Sequence, residues 1–278
     1  LDRASALGGW LGRLVGMRLG TTRKAKQRLK AAIPDLEENE YTRILCGMWD
    51  NLGRVVAEYP HLKKIGAERT VIHGQDHLEK SVLNGKAPII FGIHAANWEI
   101  CAPTLSAQMN TAIDITYRAL NNSWVDKLLW RARTLNGQIK AYPKSRESGR
   151  LIMKALKQNR SIGILIDQKY NEGISAPFMG IPAMTNPAFV QLAQRFQCPI
   201  VPARNIRLPG QTVQFALHFY KPLPHSDCEG NALPVETVIE KAHLMIEDWI
   251  QDDPAAWFWL HNRWSEQHKK ETQNNETF

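Results

Sequence analysis

The sequence predicts an α/β protein, with a mostly parallel or mixed central sheet flanked by helices on both faces and an N-terminal helical segment ahead of it. Residues 88–93 (PIIFGI) and 161–166 (SIGILI) are apolar runs too short for helices and read as buried strands. Around them, strand-like and helix-like stretches alternate, as expected when parallel strands are joined by crossover helices. At 278 residues the chain is long enough to bury a large core, and 44% apolar and 22% charged residues is ordinary for a globular protein.

The N-terminal third reads as helices at roughly 3–19, 22–32 and 37–58. Pro34 separates the second from the third, and Tyr59-Pro60 ends the third. Beyond them, strands are predicted at 88–93, 113–118 (IDITYR), 138–142, 161–166, 199–206 and 213–219. The last of these alternates apolar and polar residues (VQFALHF), the mark of a strand with one covered face. Helices are predicted at 75–84, 122–135, 147–158, 187–197 and 234–251. The division that follows is a basic helical segment over 1–60, an α/β core over 61–265 and a polar tail over 266–278.

Four widely spaced cysteines, none in a C-x-x-C pair, argue against a disulfide framework or a zinc ribbon. Of the 35 Lys and Arg and 27 Asp and Glu, eight bases and one acid (Asp2) fall within residues 1–30, so the rest is nearly balanced. A nucleic-acid binder would spread its charge more widely; a basic end on a neutral body suits contact with an anionic surface. Leu7, Trp10, Leu11, Leu14 and Met17 lie between those charges at helical spacing. Arg13 and Arg18 interrupt the run, so a helix lying on an anionic bilayer fits better than a spanning one. The alternative is a helix docked on the core with its basic face in water. Because the chain starts with Leu1 rather than Met, an anchor upstream stays open as well.

Ligands of open α/β sheets bind beyond the carboxyl ends of the strands. There PIIFGI runs into His94 and SIGILI into Asp167, a histidine and an acid delivered to one edge. His94 also begins an H-x4-E pattern with Glu99, although about one such match is expected by chance and His243/Asp248 and His261/Glu266 share the spacing. Residues five apart on a helix diverge by about 140°, so His243 and Asp248 should not face each other. A strand-end histidine with its acid in the next helix's first turn is different: the turn can fold Glu99 back to orient the imidazole of a general base. A buried structural His–Glu pair is the alternative. His73 and His77 have metal-ligand spacing but no apparent third ligand.

The segment FGIHAANWEI resembles the H-x4-D/E motif of lysophospholipid-type acyltransferases, and more narrowly that of the late lipid A acyltransferases of Gram-negative bacteria. Three later blocks are similar to that family in the same order: ITYRALNN at 115–122, Asp167-Gln168 with PFMG at 177–180, and WLHNRW at 259–264. Together they cover nearly the whole chain. Ala95-Ala96 stand where the family usually has Phe-Gly, and Ala119 where it has Pro.

The resemblance implies acyl transfer from acyl carrier protein to a hydroxyl of a lipid A precursor, at the cytoplasmic face of the inner membrane, with no cofactor and no metal. In that reading His94 is the base and Glu99 holds its imidazole. Arg118 stabilises an oxyanion or binds a lipid phosphate, its alternative being a strand-end salt bridge. Asn121 is a substrate-side residue or the cap of the next helix. Asp167 and Gln168 orient Arg118 or the following loop. Phe178, Met179, Ile181, Met184 and Phe189 line an acyl slot or pack the core, and Trp257, Phe258 and Trp259 belong to the core. A glycerol-lipid acyltransferase and a non-catalytic lipid-binding protein of the same fold are the competing readings.

Overall fold

The computed structural model describes residues 1–264 apart from 84, 112, 118, 120, 121, 136, 144 and 145. Seven strands form the main sheet: β1 (Thr70–His73), β2 (Ile89–Gly92), β3 (Ile113–Tyr117), β4 (Lys140–Pro143), β5 (Ser161–Leu165), β8 (Ile200–Arg207) and β9 (Phe215–Phe219). Their order is β1-β9-β8-β2-β5-β3-β4. Only β8 and β9 pair antiparallel, so the sheet is mixed and mostly parallel, as the sequence predicts. The helices are α1 (Asp2–Gly16), α2 (Gly20–Ala32), α3 (Glu38–Glu58), α4 (Leu62–Glu68), α5 (Gln75–Leu83), α6 (Cys101–Gln108), α7 (Ser123–Arg133), α8 (Arg146–Lys157), α9 (Ala188–Phe196) and α10 (Val235–Asp252).

Strand alternation gives the sheet two different faces. Ile89, Phe91, Ile162, Ile166 and Ile200 pack into the larger core with side chains of α2, α3, α9 and α10 and with Trp257, Trp259 and Trp264. Ile90, Ile113, Val201 and Leu217 point the other way and meet Leu78 of α5 and Leu105 of α6. The helices of residues 1–60 therefore share one core with the sheet. Arg28 of α2, itself buried, donates to the carbonyls of Trp259 and Leu260, tying that N-terminal segment to the last described turn.

Three elements were not foreseen. β1 and α4 span four and seven residues, too short for a clear period. The third is a hairpin of β6 (Ile174–Phe178) and β7 (Ile181–Thr185), where Pro177 and Pro182 face each other. Each strand of a two-stranded ribbon is an edge, so proline is tolerated there. Met179 and Gly180, with φ of 52° and 71°, form the two-residue turn that a right-twisted hairpin requires. The hairpin decides the fate of the acyl-slot residues. Phe178 packs on His243, Trp257 and Trp264, and Phe189 packs on Phe91, so these side chains fill the core rather than line a slot.

α1 docks on α3 with its apolar row outward, the facing that the bilayer-contact reading requires and the core-docked alternative does not. It turns a glycine face inward: a Cβ on Gly12 would strike the Trp49 carbonyl, and one on Gly53 would strike that of Gly8. Close backbone approach of this kind needs glycine. Leu7, Trp10, Leu11, Leu14 and Val15 consequently face outward and are exposed. The basic charge is less free than its count suggests, since Arg13 pairs with Asp50, and Lys26 and Lys30 with Glu38. Among the described residues, no helix is long and apolar enough to cross a membrane.

His243, on α10, faces Phe178, Thr185 and Arg263 rather than Asp248, as its helical spacing required. Its Nδ1–H donates to the Pro177 carbonyl, which leaves Nε2 to accept from Arg263. Burial and the Arg263 charge pull its pKa down to about 4 from 6.5. The folded chain keeps this imidazole neutral while the unfolded chain protonates it below about pH 6.5, so stability falls as pH drops from there toward about 4. The full loss expected is about 3 kcal/mol. Denaturant unfolding at about pH 7 and about pH 5 should show a shallower pH slope for His243→Gln than for the parent chain. Equal slopes would show that His243 is not held neutral.

Candidate active site

β2 and β5 are adjacent and parallel, with Gly92 level with Leu165. Their carboxyl ends therefore present the following residues, His94 and Asp167, side by side. Asp167 is completely buried and fully engaged. Its Oδ1 lies 2.7 Å from His94 Nδ1, and its Oδ2 accepts the His94 backbone N–H at 2.9 Å and the Trp257 indole N–H at 2.8 Å. Burial pushes this carboxyl up, but the charge and hydrogen bonds of His94, with His261 behind them, hold it well below the usual carboxylate range. An ionised carboxylate only accepts, so His94 Nδ1 carries a ring proton, and in the neutral imidazole the lone pair is then on Nε2.

That Nε2 lies 3.2 Å from the Gln168 side-chain nitrogen, which is also 3.0 Å from His261 Nε2. The amide has two hydrogens, enough for one to each ring nitrogen that carries a lone pair. His261 stands edge-on to His94, with ring centroids 4.8 Å apart, and Trp98 and Phe258 complete an aromatic rim. The loop carrying the base is pinned to residues 256–258: the Ala96 N–H donates to Ala256, and Phe258 N–H donates to the His94 carbonyl. Ala96 has φ of 48°, a left-handed conformation that favours glycine. This is the position where the resemblance has glycine, and Asn51, donating to the Ala96 carbonyl, helps to hold the turn.

Glu99 takes a different part from the one expected of it. The 3-10 turn Trp98–Ile100 aims its carboxylate at Arg133, Tyr59 and Trp98 instead of back at the imidazole. Arg133 grips it with two bonds, 2.7 Å and 2.6 Å, and the Tyr59 hydroxyl and Trp98 indole each donate to Oε1. Burial pushes the Glu99 carboxyl up, but Arg133 and Tyr59 outweigh it and hold it down. The acid on the imidazole is Asp167, and Glu99 fastens α7 to the loop after β2.

A cavity of about 600 Å³ opens beside His94, within the usual range for small-molecule sites. Tyr59, Trp98, Arg133, Gln168 and His261 are among its polar lining, while Ile90, Ala102, Ile113, Ile115, Leu129 and Leu165 give it apolar walls. The cavity thus lies against the face of the sheet that carries Ile90 and Ile113, not at the hairpin.

Of the sequence-predicted residues, His94, Asp167 and Gln168 come together and Glu99 lies close by. Arg118 and Asn121 lie outside the described residues. The capping role considered for Asn121 belongs to Asn122, whose Oδ1 accepts the Trp124 and Val125 N–H groups. Trp257 is core, as expected, and also a partner of Asp167. His261, Arg133 and Tyr59 were missed: the first had a signal in the terminal WLHNRW block, the others none. Cys101 lines the cavity, but burial pushes its thiol up to about 12. His73 stacks on His218 across neighbouring strands, and no group of three or more His, Cys, Asp or Glu among the described residues is arranged to hold a metal.

A profile of the family described as bacterial lipid A biosynthesis acyltransferase matches residues 2–266. No curated protein matches the chain.

Removing one member of the Glu99–Arg133 pair strands a buried charge. Glu99→Gln and Arg133→Met should each cost about 3–5 kcal/mol. The double variant should cost well under their sum, while a Glu99–His94 cycle should show little coupling. Urea unfolding of the six proteins measures both, and a larger Glu99–His94 coupling would restore Glu99 as the orienting acid.

Proposed function

The chain belongs to the bacterial lipid A biosynthesis acyltransferase family, and from that we propose that it moves a fatty acyl group from acyl carrier protein to a hydroxyl of a lipid A precursor with His94 as general base. The observation that carries this is the pairing of His94 Nδ1 with buried Asp167 while Nε2 keeps its lone pair beside an apolar cavity.

The acceptor hydroxyl displaces the Gln168 amide from Nε2 and gives its proton to the imidazole. The alkoxide attacks the thioester carbonyl carbon, and a tetrahedral intermediate forms. Asp167 stabilises the imidazolium, and the displaced Gln168 N–H, with Arg118 assigned the same task, donates to the oxyanion. On collapse the carbon–sulfur bond breaks, the ester bond remains, and the imidazolium returns its proton to the departing thiolate. No enzyme nucleophile is used. The acyl chain occupies the cavity between Ile90, Ile113, Ile115 and Leu129.

Contact with the cytoplasmic face of an anionic inner membrane fits the same reading. The support is α1, which turns Leu7, Trp10, Leu11 and Leu14 outward beside Arg3 and Arg18. Such a helix binds an interface through its apolar face together with its charge.

His94→Ala and Asp167→Asn should each lower transfer by roughly 10²–10⁴-fold, with circular dichroism unchanged. The measurement is acyl transfer from acyl carrier protein to a lipid A precursor, paired with mass spectrometry of lipid A from cells with and without the gene. Near-normal transfer by folded His94→Ala would sink the assignment. Cys101→Ala should leave turnover within a few-fold, and intact-protein mass spectrometry with donor alone should show no acyl adduct. An adduct would overturn direct transfer.

A further inference from the structure

We propose that α7 is a second membrane-contacting element, lying among lipid headgroups with its outer face while its inner face walls the acyl cavity. This rests on the membrane-surface reading above but uses different residues. No residue of α7 is fully buried: Asp126, Leu129, Ala132 and Arg133 are partly covered, and the others are exposed. Trp124 is 84% exposed and Leu128, one turn later, 67%, with Val125 exposed beside them. A soluble surface seldom spends a tryptophan and a leucine this way without a partner.

Three further observations favour a bilayer as that partner. First, Lys127 and Arg131 form the adjoining i, i+4 stripe, with Asp126 the one acid of the helix, so the apolar face is bordered by long cationic side chains that can reach phosphates. Arg133 is not part of that stripe, because Glu99 neutralises it. Second, Leu129 and Arg133 of the same helix line the cavity, so the element that would touch lipid is also the cavity's wall. A lipid acceptor anchored in a membrane must reach His94 from that membrane, and a wall helix resting in the headgroups shortens the path. Third, Ala132 of α7 and Leu1, which precedes α1, pack on the same cluster of Leu62, Ile65, Ile100 and Phe215. The C-terminal end of α7 and the start of α1 therefore border one cluster, and α1 likewise turns a row of apolar residues outward.

The test uses the full chain carrying Cys228→Ser and Leu128→Cys, labelled with an environment-sensitive fluorophore; the same chain without Leu128→Cys supplies the background. Vesicles of phosphatidylcholine with anionic phosphatidylglycerol should shift the emission to the blue and protect the probe from iodide. The pair Trp124→Glu and Leu128→Glu, both at exposed positions, should weaken vesicle binding by roughly tenfold. That variant should raise KM for a vesicle-borne acceptor more than for a detergent-dispersed one. An unshifted probe on a chain that still sediments with vesicles overturns the role of α7 and leaves the contact through α1 standing. Failure to sediment at all overturns both. A shift caused by acyl carrier protein and not by vesicles overturns the proposal in favour of a protein-docking face.

Discussion

The Asp167 carboxylate is the constraint around which the site is organised. A full charge at zero exposure is costly unless its lone pairs are occupied. Two segments distant in sequence from the end of β5, which carries the acid, meet that demand: the end of β2 supplies a backbone N–H and an imidazole, and the C-terminal turn supplies the Trp257 indole. Satisfying one buried charge thereby fixes the ring of His94, selects its tautomer and fastens the tryptophan segment under the sheet edge.

Three other buried carboxylates pin elements in the same way, and the comparison separates architecture from chemistry. Glu58 gathers Ser5 of α1, Asn97 of the base-carrying loop and Arg207 of β8. Asp114 gathers Tyr142 and Arg160, and Glu99 gathers Tyr59 and Arg133. Each of these three carboxylates faces an arginine, whose charge is permanent. Asp167 faces a histidine, which can take up and release a proton, and that histidine turns its other nitrogen toward a cavity. An acid against arginine holds structure; an acid against a histidine open to a cavity can serve a proton transfer.

How far the site was legible follows from the same geometry. His94 and Asp167 could be found because each follows an apolar strand, and strand ends share an edge. That they touch depends on β2 and β5 being neighbours, a fact of topology that spacing along the chain does not contain. The H-x4-E pattern pointed to the acid near in sequence, while the 3-10 turn at Trp98 carries Glu99 away to Arg133. Tyr59 and Arg133 carried no local signal, since a tyrosine before proline and an arginine in a last helical turn are ordinary. α1 was legible as an amphipathic helix, but its spacing left the apolar row open between a bilayer and the core; glycines 8 and 12 against Gly53 make the side opposite that row the one that docks.

The cavity itself is a consequence of side-chain size on one face of the sheet. On the packed face, Phe91 meets Phe189 and Trp249, and Ile162 packs into the same core. On the other, Gly92 follows Ile90 along β2, and Gly163 sits level with Ile90 on β5. A Cβ at Gly163 would lie 3.3 Å from Ile115 and 3.5 Å from Ile113, two of the residues lining the cavity. Glycine in a strand interior gives up packing and chain entropy, and where it persists another group approaches the backbone closely. Here those groups are the Ile113 and Ile115 side chains beside Gly163 and the Ala203 carbonyl beside Gly92. The two glycines leave the sheet bare of side chains under the cavity, and the strands that carry them run toward His94 and Asp167, so the cavity floor leads to that pair.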